Sequence, residues 1–230
     1  IADESELPTD QIKPLEAILR DMPALPADWF RLTEFCASYY QAPLGEVMLS
    51  TLPAGLRRVD PPKARQSRRV APAKTTAPPP ELTGEQAQVL ERIQADGEGF
   101  HAYLLHGVTG SGKTEVYLRL IERVLAAGRT ALVLVPEINL TPQLEKRIAA
   151  RFPDAGLVSL HSELAEAART RHWKAAQEGS ARIVLGTRLA VFTPMPDLGL
   201  IVVDEEHDPS FKQQDGMRYS ARDVAVFRAH

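Results

Sequence analysis

Apolar positions divide this chain into two regimes. Between Pro26 and Tyr40, the residues Trp29, Leu32, Phe35, Cys36 and Tyr39 lie on one face of a helix, with Pro26 suited to its first turn. A second short helix is predicted over 43–52, stopped by Pro53. From Glu81 onward the pattern alternates. Helical spacing over 83–95, 114–126, 140–151 and 163–176 is interleaved with short, nearly continuous apolar runs at 102–106, 131–135, 157–160, 182–185 and 199–203. Strands without polar alternation are covered on both faces, so this half predicts an α/β lobe with a parallel sheet between two helical layers. Residues 1–9 are acidic and polar and are expected to form a mobile end. Over 11–19 the apolar pattern is broken by Pro14 and fits helix or strand equally. Val224, Val226 and Phe227 begin an amphipathic helix that carries no capping signal before His230, so the chain is expected to be a fragment.

Between the two regimes the composition changes. Arg57, Arg58, Lys63, Arg65, Arg68, Arg69 and Lys74 stand against Asp60 alone, with prolines at 61, 62, 72, 78, 79 and 80. Such a stretch buries too little apolar surface to fold and reads as a linker. Its charge could equally track phosphates or be incidental. The domain expectation is therefore 1–56 as part of a small domain, 57–80 as linker, and 81–230 as the α/β lobe. The aromatic residues at 29, 30, 35, 39 and 40 fit a helical core, with base stacking as the alternative.

The remaining composition mainly excludes. A formal charge of −3 gives no global basic signal, so any nucleic-acid contact must come from local patches. The one cysteine, Cys36, rules out an internal disulfide framework or a four-cysteine zinc site in these residues, and its place in a helical pattern predicts a buried structural thiol. No apolar run approaches the roughly 18 residues that span a membrane. The expectation is a soluble cytoplasmic protein without a membrane partner.

Chemistry concentrates in two stretches. Gly107, Val108, Thr109, Gly110, Ser111, Gly112, Lys113 and Thr114 match G-x-x-x-x-G-K-[ST] in the context the pattern requires, between an apolar run and a helix. The glycines let the backbone close on phosphates at a helix N-terminus, Lys113 can reach the β and γ phosphates, and the Thr114 hydroxyl can ligate Mg²⁺. About ninety residues later the apolar run 199–203 ends in Asp204-Glu205-Glu206-His207. In open α/β sheets ligands bind at the C-terminal ends of strands, which would bring Asp204 to the Mg²⁺ and Glu205 to the attacking water. A charged loop capping a strand is the plain alternative.

The phosphate loop with DEEH resembles superfamily 2 helicases. The strings GVTGSGKTEVYL, LVLVPEINLTPQ, GTRLAVFTP and VVDEEHDPSFKQQDGMRYSARDVAV are similar to the PriA family of replication-restart helicases, and APLGEVMLSTLPAGL is similar to the end of that family's 3′-DNA-end-binding domain. The resemblance implies a RecA-like first ATPase lobe, preceded by part of a small DNA-binding domain and a linker. It implies ATP-driven 3′→5′ movement on DNA at abandoned forks and help in reloading the replicative helicase.

Carried onto this sequence, the resemblance assigns adenine recognition to Gln86, phosphates and Mg²⁺ to Lys113 and Thr114, metal and water to Asp204 and Glu205, and coupling between nucleotide and DNA to His207. Pro136, Glu137, Thr141, Gly186, Thr187 and Arg188 match segments along the DNA backbone. Phe211, Lys212, Gln213, Gln214, Arg218 and Tyr219 resemble an aromatic-rich loop that senses single strands, for which stacking on bases plus positive charge is a sensible design; a structural loop is the alternative. Implied partners are forked and single-stranded DNA, 3′ ends, primosome proteins and single-stranded-DNA-binding protein; the implied location is the bacterial nucleoid.

The resemblance also marks departures. The basic tether stands where the family has a winged-helix domain. The second lobe with its arginine finger and the zinc module, the expected place for zinc, lie outside this sequence. Two other classes stay open on the residues alone: a phosphate-loop enzyme acting on a small molecule or protein, and, for these residues by themselves, a nucleotide-binding module with hardly any turnover.

Overall fold

The computed structural model describes residues 8, 23–57, 79–97, 99–108, 110–136 and 142–230. The ambiguous stretch 11–19, most of the basic tether, Thr109, Glu137 and Thr141 lie outside them.

Four parallel strands form the central sheet: β1 (Thr130–Leu134), β2 (Leu157–Leu160), β3 (Ile183–Gly186) and β4 (Leu198–Val203), in the order β2-β3-β1-β4. The register sets Leu132 opposite Val184 and Ile201, so alternate residues of each strand share a face. Every residue of β1 and β3 is buried, as their unbroken apolar sequences require.

Each face has its own core. Ala131, Val133, Ile183, Leu185 and Val202 meet Leu118 and Ile121 of α4 (Lys113–Ala126) and Ile148 of α5 (Pro142–Arg151). On the opposite face Leu132, Leu134 and Val184 pack with Val191 and Phe192 of the 3-10 turn Arg188–Phe192 and with Val224 of α7 (Ala221–Ala229). Ala176 of α6 (Glu166–Gln177) joins this second core. The helix α3 (Gly84–Ala95) packs beside α4.

The amino-terminal helices complete that second core and do not form one of their own. Leu32 and Cys36 of α1 (Ala27–Tyr39) and Val47 of α2 (Leu44–Thr51) belong to it. Trp29 donates its indole N–H to the Phe192 carbonyl at 3.0 Å, and the rings of Phe35 and Phe227 stack with centroids 3.7 Å apart. Gln177 donates to the carbonyls of Pro23 and Ala24. Gly55 lies so close to Thr170 that an added Cβ would stand 2.5 Å from its hydroxyl. Residues 23–57 thus share a core with the lobe, and the boundary expected at 56 does not separate two packed bodies. The helical-face aromatics Trp29 and Phe35 are part of this packing.

One expected strand is absent from the sheet. Residues 101–108 make no ladder, and Leu104 is 76% exposed. Three apolar residues become a strand only where a sheet edge takes up their N–H and C=O groups. Here Tyr103 is tied instead to α3, its hydroxyl donating to Asp96 at 2.7 Å. Among the described residues no helix is long and apolar enough to cross a membrane.

Candidate nucleotide site and nucleic-acid face

The phosphate loop ends in a left-handed turn. Gly112, at φ 84°, caps α4, and a side chain there would collide with the amide of Gln86. A Cβ on Gly107 would meet the Ser111 hydroxyl at 2.7 Å. The left-handed turn makes glycine necessary at 112, while at 107 a Cβ would displace the Ser111 hydroxyl, and the cradle between them is one that a Cβ would fill. The cradle lies at the N-terminus of α4, where a helix leaves backbone N–H groups without carbonyl partners four residues back.

Gln86 enters from α3. Its side-chain carbonyl accepts from the Thr83 N–H at 3.0 Å while its own N–H donates to the Thr83 hydroxyl at 3.3 Å, a reciprocal capping box. Its amide also donates to the carbonyls of Ser111 and Gly112, each at 3.4 Å. One side chain thus starts α3 and fixes it against the loop.

The acidic cluster converges on the same place. Lys113 donates to the Gly107 carbonyl at 2.8 Å, and its ammonium lies 3.6 Å from a Glu205 carboxylate oxygen. Asp204 extends the end of β4, its N–H bonded to the Leu134 carbonyl at 2.9 Å. Glu205 follows at φ 48°, a left-handed conformation rare outside glycine and one that accumulates at functional sites. Burial pushes the Asp204 carboxyl above the usual carboxylate range and neighbouring Glu205 adds to this, while the Tyr117 hydroxyl, donating at 3.2 Å, opposes it. Burial and Asp204 push the Tyr117 phenol above its ordinary value. Thr114 is half-buried on the first turn of α4. A hydroxyl and a carboxylate at the mouth of a glycine cradle are oxygen donors that suit Mg²⁺ and a nucleotide phosphate. His207 is 76% exposed, with its Nε2 3.9 Å from the second Glu205 oxygen.

Tyr117 was not foreseen. Its position, three residues after Thr114, puts it on the same face of α4, which is the signal the sequence did contain.

The expected nucleic-acid residues separate into two groups. Lys212 and Arg218 are exposed, and the Lys212 ammonium sits 5.6 Å above the Tyr40 ring. Arg188 donates to the carbonyls of Ser210 and Lys212 at 2.8 and 3.2 Å, tying the turn after β3 to the loop after β4. In contrast Thr187, Phe211 and Tyr219 are interior, at 5%, 3% and 3% exposure. Phe211 and Tyr219 belong to the second core, where Tyr219 packs edge-to-face on Phe192. The expectation that these two rings present themselves to a base is corrected: helical neighbours from both ends of the chain cover them.

A family model described as DEAD/DEAH box helicase matches residues 83–229, and one described as 3′DNA-binding domain matches residues 1–53. The chain is 47% identical over 158 residues to the replication restart protein PriA of Bacillus subtilis, 53% identical over 131 residues to that of Haemophilus influenzae, and 39% identical over 192 residues to that of Treponema pallidum. These matches take in 68%, 57% and 84% of this chain but only 19%, 18% and 28% of the respective relatives. The chain thus spans about a fifth of the length of the first two relatives. With a glycine cradle, its lysine and the acidic end of a buried strand meeting inside the matched segment, the chain belongs to the DEAD/DEAH box helicase family.

Proposed function

We propose that these residues are the nucleotide-binding lobe of an ATP-dependent DNA helicase that moves 3′→5′ and acts at stalled or abandoned replication forks to restart replication. The observation that carries this reading is the meeting of Lys113 with Glu205, which brings two sequence segments ninety residues apart into one phosphate site. The similarity to PriA proteins supports the fork and restart assignment, and the match to a 3′DNA-binding domain supports DNA as partner. Primosome proteins, single-stranded-DNA-binding protein and a place in the nucleoid belong to the same proposal. A zinc module in the rest of the protein belongs to the same proposal.

Bound Mg²⁺ and ATP supply the labile γ-phosphoryl group and the charge that polarises it. The chain's own residues do the positioning. Backbone N–H groups between Gly107 and Thr114 and the Lys113 ammonium would hold phosphate oxygens, the Thr114 hydroxyl and Asp204 would hold the metal, and Gln86 would recognise the adenine. Glu205 orients water and accepts its proton. His207, exposed beside Glu205, is placed to relay DNA contact. Arg188, Lys212, Arg218 and Thr141 offer cationic and hydroxyl groups to phosphate oxygens, which position a strand without reading its sequence; Thr187 supports that face from within.

Steady-state ATP hydrolysis by the whole protein, with and without forked DNA, tests the reading. Forks should stimulate turnover. Lys113→Ala should abolish it while leaving much of the DNA binding, and Glu205→Gln should reduce it by about 10² or more, the usual worth of a general base. Turnover indifferent to DNA would place the protein among phosphate-loop enzymes of another class.

A further inference from the structure

A cavity of about 400 Å³ opens between the amino-terminal segment and the lobe, away from the phosphate loop. Its size falls in the roughly 300–1,000 Å³ range of small-molecule sites. One wall is the stretch from α2 to Arg57, and the other comes from the ends of β2 and β3, the start of α6 and the loop around Met217.

Three arginines line it. Arg57 donates to the Leu52 carbonyl at 2.7 Å, Arg169 to the Ser162 carbonyl at 2.7 Å, and Arg188 to the Ser210 carbonyl at 2.8 Å. None of the three is in an ion pair with a carboxylate among the described residues, whereas the cation cluster of Arg119 and Arg151 is neutralised by Glu115 and Glu122. Carbonyl acceptors orient a guanidinium without cancelling its charge, and its remaining N–H groups form the fork that suits phosphate. The arginines reach the cavity from both walls, and Glu46 and Asp215 also border it, so acceptors for hydroxyls or amino groups stand beside the positive charge. Trp173 and Met217, 3% and 6% exposed, give the apolar part of the wall, and the Trp173 indole N–H has no acceptor among the described residues.

We propose that this cavity is a second nucleotide-recognition site, distinct from the phosphate loop, taking one nucleotide with its phosphate toward Arg57, Arg169 and Arg188 and its base toward Trp173 and Met217. The nucleotide comes either from the free pool or from a DNA strand; phosphate and base are common to both. The Arg188 wall is shared with the proposed strand path, and to that extent the inference rests on the helicase reading. Because residues 46–57 form one wall, occupancy also bridges the amino-terminal segment to the lobe.

The test is binding to the whole protein with its phosphate loop occupied by one equivalent of ADP. Thymidine monophosphate is titrated calorimetrically and a fluorescent twelve-residue oligothymidylate by anisotropy. Arg57→Ala with Arg169→Ala should weaken one of these ligands at least tenfold, and inorganic phosphate should compete. Weakening of the monophosphate identifies the free pool; weakening of the oligonucleotide alone identifies the strand. Arg57 is exposed, so Arg57→Gln alone provides a variant that keeps the core intact, and it should show a smaller loss of the same kind. Equal affinity of both variants and the parent for both ligands would overturn the proposal. Fork-stimulated ATP hydrolysis read in parallel separates that result from failure of the helicase reading: stimulation with no cavity effect removes the cavity site alone.

Discussion

Cys36 shows how burial decides a residue's chemistry. It is fully buried in the core shared by α1 and the sheet, and that burial pushes its thiol up to about 12. A raised folded-state value means that the unfolded thiol loses its proton first as pH rises. The neutral thiol's contribution is therefore whole below about 9 and is lost as pH climbs toward 12, with a slope of about 1.4 kcal/mol per pH unit in that window. Urea unfolding at pH 8 and pH 10 should show this loss, and Cys36→Ala should flatten it while lowering stability at both. An unchanged slope in the variant would place the alkaline sensitivity elsewhere. The same burial makes this thiol a poor nucleophile, as its place in a helical apolar pattern had implied. Arg228 is the opposite case: desolvation pushes its guanidinium down to about 10, and from its half-buried place on α7 it donates to the Val191 carbonyl.

At the scale of elements, the sequence was legible wherever a segment carried its own period. Strands β1 to β4 and helices α1 to α6 lie within a few residues of the apolar patterns that predicted them, because each exposes its period to neighbours on known faces. The run at 102–106 failed because strand formation needs a partner edge, which no local pattern encodes. Phe211 and Tyr219 failed for a related reason. In sequence they sit in a polar, loop-like stretch, and only the return of α1 and α7 over the sheet covers them. Tyr117 was missed because its partner, Asp204, lies 87 residues away.

The family resemblance assigned Gln86 to adenine, whereas its structural role was not legible in the sequence. It completes the capping box of α3 and also holds two carbonyls of the phosphate loop. Two substitutions separate these roles. Gln86→Ala should cost about 1 kcal/mol of stability through the lost cap and should weaken nucleotide binding as well. Gln86→Glu keeps an acceptor for the Thr83 N–H but turns a carboxylate toward the carbonyls of Ser111 and Gly112. It should retain most of the stability and still lose nucleotide affinity. Chemical denaturation beside nucleotide titration reads both quantities, and a Glu variant that binds nucleotide normally would remove the loop contact from the account.

For the whole molecule the question is whether 23–57 behaves as an independent body. The match of 1–53 to a DNA-binding domain and the proline-rich tether both favour separation when the sequence is read linearly. Packing argues otherwise. Leu32, Cys36 and Val47 lie in one cluster with Leu132, Val184 and Val224, and a stack of Phe35 on Phe227 ties α1 to the other end of the described chain. Removing α1 would uncover that face of the sheet, and losses of 2–5 kcal/mol per large side chain are usual for such cores. The described residues from 23 to 57 and from 79 onward should therefore unfold as one unit. The two tryptophans make this measurable, since Trp29 lies in α1 and Trp173 in α6. In Trp173→Phe the fluorescence reports the amino-terminal segment, and in Trp29→Phe it reports the lobe. Within each variant, the urea midpoint by fluorescence should coincide with that by far-ultraviolet circular dichroism. An earlier midpoint for Trp29 would mean that α1 leaves the sheet before the lobe unfolds, in which case the cavity between them would open without loss of the nucleotide site.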